Sequence, residues 1–537
     1  MFVRVKNYKN KDGSVRQYLF LVATKRIKGR VRQITVANFG RLEDIDKVLP
    51  GVVENLSKFS KKLKVIAASK DMRSDWTKEY GPVIIFRKVW EKIGLDKWLS
   101  GYTKGRKIGF DAKELIYAMV LNRLMEPKGE MAIHEWIKGV YGLKEVRDLH
   151  QWYRSLDFLI ERKDKIEKDL FEENKDLFNQ EIDVALMDTT SLVYFGDGER
   201  AENILDYGYS KQKRFDLKQV IVGVLMTKEG IPIGHEVYPG NTNDITAFKE
   251  MINRVQARFK IRRVIIVCDR GMISEGNIRI LESNNYEYII GLRMRQLKEK
   301  DAQKILSVKN MAPVTKSLKG KEVHFNNKRL IVCFNQEQAL KDRQKREEII
   351  TRLIIKLKTQ GLKSLLVHKE YSKYLKIKAD KPELNEEKVK REELFDGKFV
   401  LQTNTTLNWK DAILYYKDLW KIEAGFRTLK NELEMGPIYH YSERRIRAHI
   451  FVCFLALLLK VVFQKSLADN KDLSLSKVLR DIKKIKATQI TIKDKPVILR
   501  TELEGDAYHA FKAVGLKIPP RLLNEPSDIQ ESVVVRL

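Results

Sequence analysis

The chain has 537 residues, 43% hydrophobic and 33% charged, which is enough apolar content to bury several cores and excludes a disordered polyampholyte. Lys and Arg number 103 against 72 Asp and Glu, a formal charge of +31, so a polyanionic partner such as nucleic acid or an anionic membrane is expected. Three distant cysteines, Cys268, Cys333 and Cys453, exclude a disulfide framework and a C-x-x-C zinc knuckle, and fit a reducing cytoplasm.

The N-terminal MFVRVKNYKN has no apolar run of signal-peptide length. Residues 1–70 alternate with period two, broken by turn chemistry at 11–14 and 28–30, and predict an antiparallel β meander. That segment carries 17 Lys and Arg against 5 Asp and Glu, a density suited to phosphate contact. Over 71–180 the period becomes helical, with Ile84, Ile85, Val89 and Ile93 in register and Asp111 placed to cap a helix over 112–125. This reads as a helical domain with DNA docking as its candidate role. His134-Glu135 lacks the second His of H-E-x-x-H, so no zinc site is expected there.

Residues 181–295 predict an α/β unit. A strand over 182–187 ends at Asp188, strands follow at 220–226 and 231–238, and Asp244 opens a helix through Phe259. A β-branched strand over 264–268 ends at Asp269, a helix runs from Ser274 to Ser283, and 286–292 supplies another strand, giving a mixed sheet. Residues 296–398 interrupt this unit as an insertion, with short strands at 323–325, 330–334 and 399–401 around a charged helix at about 336–360. Over 399–465 come a long helix from Trp409 through Asn431 and an apolar helix over 446–463. The apolar stretch 450–459 has ten residues where a membrane span needs about 20, so it predicts a buried helix and no membrane partner. Residues 466–537 read as a helical tail with a hairpin at 493–495.

Two acids at strand ends in one small domain of a basic protein point to a cleft edge where carboxylates bind Mg²⁺ through hard oxygens. A single such acid would be read as a helix cap or turn former. The third acid is Glu423, which helical spacing places on one face with Tyr416, Leu419, Trp420, Arg427 and Lys430. Such a mixed face is poor core material and suits a metal and a phosphate; Trp420 reads as a packing anchor.

The runs MDTTS at 187–191, VCDRGM at 267–272 and YKDLWKIEAGFRTLK at 416–430 resemble insertion-sequence DDE transposases of the Y-R-E-K signature group, the IS-four superfamily type. GYSKQKRFDLKQ at 208–219 and PGNTND at 239–244 resemble the same group. Three of four signature places match, at Tyr416, Glu423 and Lys430; Leu419 stands where the signature has Arg, with Lys417, Lys421 or Arg427 as candidate replacements. The resemblance implies an α/β fold with an RNase H-like mixed sheet flanked by helices and an inserted β-containing domain. It implies Asp188, Asp269 and Glu423 as catalytic metal ligands for two Mg²⁺ or Mn²⁺ ions. The implied DNA contacts are Tyr416, Arg427, Lys430, Lys211, Arg214 and Arg270. The implied activity is metal-dependent cleavage at element ends followed by strand transfer. The implied partners are double-stranded DNA, as terminal inverted repeats and target, and a second copy in a homodimer, at the nucleoid of a prokaryote.

An RNase H-like nuclease that never joins strands, and a non-catalytic DNA-binding derivative of a transposase, are the alternatives. No G-x-x-x-x-G-K-[ST] and no G-x-S-x-G occurs, so an ATP-driven motor and a serine hydrolase are unsupported. His235 and His440 read as core or surface residues.

Overall fold

The computed structural model describes residues 2–10, 13–27, 30–45, 72–104, 109–173, 185–196, 201, 203–210, 214–259, 265–268, 275–359, 369–378, 381–468, 473–492 and 494–523. The chain divides into two units. One joins 1–81 with 483–504 and 518–537; the other joins 82–482 with 505–517.

In the first unit β1 (Phe2–Lys9), β2 (Val15–Ile27) and β3 (Arg30–Arg41) form the expected antiparallel meander in the order β1-β2-β3. Gly13, at φ 84, allows the first turn its left-handed residue. A second sheet has the order β18-β17-β16-β4, from β4 (Met72–Glu79), β16 (Lys486–Ile492), β17 (Lys495–Arg500) and β18 (Leu522–Leu523). Two expectations change here. Residues 72–79 are a strand rather than the start of the helical block, and the tail after 466 contributes three strands to a sheet. The cause is distant pairing: MRSDWTKE is almost wholly polar and becomes a strand against β16, where Thr77 meets Thr488 across 411 residues at 3.0 Å.

The second unit opens with α1 (Gly81–Lys92), α2 (Leu95–Thr103), α3 (Ala112–Met125), α4 (Glu130–Trp136), α5 (His150–Ile160) and α6 (Lys163–Glu173). Asp111 caps α3 as expected, accepting the Glu114 amide at 3.1 Å. Of these, α3 and α5 pack against the apolar α14 (Glu443–Ser466), and Phe86 of α1 lies edge-on to Phe463 at 5.4 Å. Helix α14 is long and apolar enough to cross a membrane, but nearly all of it is buried inside this unit, as the sequence predicts.

The central sheet explains the rest. β5 (Ala185–Val193), β6 (Gln219–Thr227) and β7 (Pro232–Pro239) pair antiparallel in the order β5-β6-β7. β8 (Ile265–Cys268) lies beside β5, and β9 (Glu287–Gly291) pairs parallel to β8. Taken across the contact of β5 with β8, where the three-stranded sheet meets the sheet that holds β8 and β9, the spatial order is β7-β6-β5-β8-β9. Counted by position in the chain it is 3-2-1-4-5 with a parallel final pair, an RNase H-like mixed sheet. One face packs against α7 (Asp244–Phe259) and α8 (Glu275–Ser283) through a core that includes Met187, Leu225, Phe248, Met251, Ile266 and Leu281. Burying a side chain such as Phe248 contributes about 2 kcal/mol.

The insertion holds α9 (Glu299–Leu306), β10 (Ala312–Pro313), β11 (Leu318–Phe325), β12 (Lys328–Asn335) and α10 (Gln336–Thr359). It continues with α11 (Lys369–Ser372), β13 (Leu375–Lys378), β14 (Lys381–Leu384) and α12 (Glu386–Glu393). β15 (Lys398–Thr403) then returns between β9 and β12, antiparallel to both, so the insertion's larger sheet extends the edge of the central one. After it come α13 (Trp409–Asn431), α14, α15 (Leu475–Lys483) and α16 (Ala507–Val514).

Candidate active site

Asp188 lies inside β5, opposite Val224 of β6, and the strand runs on through Val193. The expectation that Asp188 ends its strand is corrected. Thr189, Thr190 and Val193 are good strand residues, and β6 offers a fully buried partner along the whole length. Met187 belongs to the core shared with α7 and α8, so strand alternation turns Asp188 to the opposite face. Among the described side chains of β5, Asp188 alone is half-open; those from Leu186 to Val193 are otherwise buried. Its Oδ1 accepts the Thr189 amide at 2.7 Å.

Helix α13 covers that same face. Asp188 and Val224 are cross-strand partners and Met226 lies two residues on, so all three share a side of the sheet. Gly425 of α13 sits against Met226 so closely that a Cβ would overlap the methionine methyl. Lys421 fastens the helix further, donating to the Lys228 carbonyl at 2.6 Å while pairing with Asp418 at 2.8 Å. The buried stripe is Ala412, Ile413, Leu419, Ile422, Gly425, Phe426 and Leu429, and Glu423 stands exposed beside it. Asp188 and Glu423 thus come from a strand and from the helix packed over its open face. Asp269 immediately follows β8; it, Lys211 and Arg270 lie outside the described residues.

The helix face is less uniform than its spacing suggests. Leu419 is 6% exposed and belongs to the buried stripe, whereas Trp420 is 61% exposed, which overturns its reading as a packing anchor. A helix resting on a sheet buries a narrow stripe, and residue 420 falls outside it. Arg427 is exposed and Lys430 half-buried. Tyr416 is half-buried and stacks on Phe399 at 5.9 Å, on a cavity of about 560 Å³ shared with Lys345 and Arg346. Arg214 is exposed and forked onto Asp216, from Nε at 2.9 Å and Nη2 at 2.6 Å.

Two other clusters escaped the sequence reading. Glu167 and Glu236 are buried with Lys163, Arg258 and His235, and Asp164 joins them from the surface. Burial pushes the Glu236 carboxyl up, but Lys163 and Arg258 outweigh it and hold it at about 2. His235 is core, as expected, stacked on Phe454 at 4.7 Å, and burial lowers its pKa. The second cluster is Glu130, His440 and His449. His440 faces Glu130 at 3.4 Å, while His449 contacts Arg123 at 3.4 Å and the Met435 carbonyl at 3.0 Å. Burial, helped by Arg123, drives the His449 imidazole down to about 3. Both groups have the spacing of ion sites, but their ligand atoms are already committed to cations, hydrogen bonds and each other. Local sequence carries no signal for either, because the partners are far apart along the chain.

Comparison with known proteins followed the same lines. Residues 179–459 match the family described as "Transposase DDE domain", and residues 3–71 match "IS1634 family transposase, N-terminal domain". A search of curated proteins found no match. Among solved structures the chain is similar to a piggyBac transposase synaptic complex with hairpin DNA, at 10% identity and TM-score 0.35, over 75% of this chain and 79% of that one. It is also similar to a Mos1 transposase paired-end complex with left transposon end, at 15% identity and TM-score 0.14, over 34% and 59%. At these scores neither likeness bears on the fold, which stands on its strand order.

Proposed function

The chain belongs to the transposase DDE domain family, and we propose that it cuts the ends of its own insertion sequence and joins them to target DNA in a divalent-metal-dependent reaction. The observation that carries this reading is Asp188: an acid half-open in a buried strand, turned toward the face that the Glu423 helix covers.

Asp188, Asp269 and Glu423 are the proposed ligands. Carboxylate oxygens are the donors that Mg²⁺ and Mn²⁺ prefer, and both described members are open to solvent at least in part. Two such ions, when bound, supply activation of the attacking oxygen and stabilisation of the leaving one. The chain's own residues hold and orient. The Thr189 amide fixes one Asp188 oxygen, and Gly425 and Lys421 fix the helix that presents Glu423. Arg427 and Lys430 offset phosphate charge on that helix, and Lys211, Arg214 and Arg270 are the further proposed DNA contacts. Tyr416 is proposed to meet DNA at the edge shared with the insertion. Residues 416–430 serve as the Y-R-E-K signature helix, with Arg427 in place of the missing arginine, since Lys421 is already bound to the β6–β7 turn. In sequence, water frees the 3′ end and that hydroxyl then attacks target DNA.

The proposed modules are a basic meander (1–70) and a helical domain (71–180, apart from the strand at 72–79) for DNA, a catalytic core in two parts (181–295 and 399–465) around an insertion (296–398), and a tail (466–537) whose strands form one sheet with 72–79. The working form is a homodimer on paired ends at the nucleoid. Asp188→Asn and Glu423→Gln should each lose Mg²⁺-dependent nicking of DNA bearing the repeats that flank the coding region, by about a thousandfold or more, while still binding it. Undiminished nicking by either variant would overturn the assignment.

A further inference from the structure

Beyond the end of the Asp188 strand lie two pairs of exposed rings. Tyr439, 64% exposed, sits against Phe195, 40% exposed, with centroids 6.2 Å apart. The Arg214 guanidinium lies over Phe195 at 5.9 Å. Its chain neighbour Phe215, 59% exposed, meets Tyr209, 81% exposed, at 6.2 Å. The two ring pairs are joined through Arg214 and its chain neighbour Phe215. Four large rings left in solvent in two such pairs are not a packing arrangement. Asp216 grips Arg214 by its edge, which fixes the guanidinium plane.

The Phe195–Tyr439 pair is tied to the candidate active site through the backbone. Ile438 donates to the Val193 carbonyl at 3.1 Å, and Phe195 donates to the Ile438 carbonyl at 3.0 Å. Phe195 therefore continues the Asp188 strand, and Tyr439 stands in the loop between the Glu423 helix and α14. Seven extended residues separate Asp188 from Phe195, about 23 Å, or roughly seven base steps of 3.4 Å.

We propose that Tyr439, Phe195, Arg214, Phe215 and Tyr209 form a stacking platform for the unpaired bases of one DNA strand leading away from the candidate active site. This rests on the DNA-cutting reading and adds to it the state of the strand. Aromatic faces accept any base, and an interleaved guanidinium adds a cation–π contact and charge for the backbone. A second copy of the chain is the poorer occupant, because two bodies of +31 repel where a polyanion is drawn in.

The test is fluorescence anisotropy of the full chain with three probes of equal length: a single strand of mixed sequence, the same strand made abasic, and the duplex. The wild type should bind the abasic strand about tenfold or more weaker than the intact one. Tyr439→Ala and Tyr209→Ala should each weaken intact single-strand binding by about fivefold to a hundredfold, with Tyr439→Phe and Tyr209→Phe near wild type. Duplex affinity should hold in all four variants. Equal affinity for intact and abasic strands would overturn the platform, and so would equal losses on single strand and duplex. A change confined to self-association in sedimentation would assign the rings to a subunit contact and also overturn it. Nicking of the duplex by the wild type, measured alongside, reports separately on the DNA-cutting reading.

Discussion

At position 419 the chain carries an aliphatic side chain in the buried stripe of α13, where the resembled signature carries an arginine. Restoring the arginine should not restore a DNA contact. Leu419→Arg places a cation in the buried stripe of α13, so the variant should lose about 3 kcal/mol of stability in urea unfolding and gain no affinity for end DNA. A stable variant with tighter binding would mean that α13 rotates when DNA arrives. The same residue shows where sequence reading stops. The heptad-like offsets around Glu423 are visible in the chain, and they correctly separate it from the core. They do not reveal which of two adjacent residues, Leu419 or Trp420, faces the sheet, because that depends on how Gly425 seats the helix on Met226. Asp188 was legible as an acid after an apolar run. Its place inside the strand was not, since a Thr-Thr-Ser run reads equally as strand or turn until β6 pairs with it.

Among elements, α6 is joined to β7 and α7 by the buried ions Lys163, Glu167, Glu236 and Arg258, and α3 to α14 by Arg123 and His449. Removing one charge from the first group leaves the others unbalanced, so Glu236→Gln should cost about 3 kcal/mol. Acid should act in the same direction. His449 is held near 3 in the folded chain against 6.5 when unfolded, so its share of stability is present above 6.5 and is lost as pH falls toward 3. Glu236 is held near 2 against 4.5, so its share is present above 4.5 and is lost as pH falls toward 2. The Tm of the wild type should therefore decline below pH about 6.5 and more steeply below about 4.5. Glu236→Gln should flatten the lower limb and His449→Gln the upper one. A Tm independent of pH from 7 to 4 would contradict both assignments. Most elements were readable from period and capping, including α3, α7 and the returning β15. The strand β4 was not, because its pairing energy comes from β16, some 400 residues away.

For the whole molecule the excess of positive charge is the property that reaches furthest. If it serves phosphate contact, affinity for end DNA should fall by about a thousandfold between 50 and 200 mM salt, as for about six phosphates. Replacing Lys6, Lys25, Arg26 and Arg32 of the meander by Gln should reduce the slope of log K against log salt by about one for each phosphate that these side chains neutralise. An unchanged slope would place DNA contact elsewhere. The charge itself was plain from composition, which left nucleic acid and an anionic membrane both open as partners. What composition could not give was the arrangement, since the proposed site draws on acids spread over 235 residues, which only the neighbouring of β5 and β8 and the return of α13 could bring together.

That convergence can be measured without knowing any DNA sequence. With Fe²⁺ replacing Mg²⁺, ascorbate and peroxide generate hydroxyl radicals at the bound ion, and backbone scission marks the segments around it. The account predicts cuts near 188 and near 423 together, both abolished by Asp188→Asn. Cuts confined to the clusters at 130, 440 and 449 or at 164, 167 and 236, or cuts near 188 that spare 423, would contradict it.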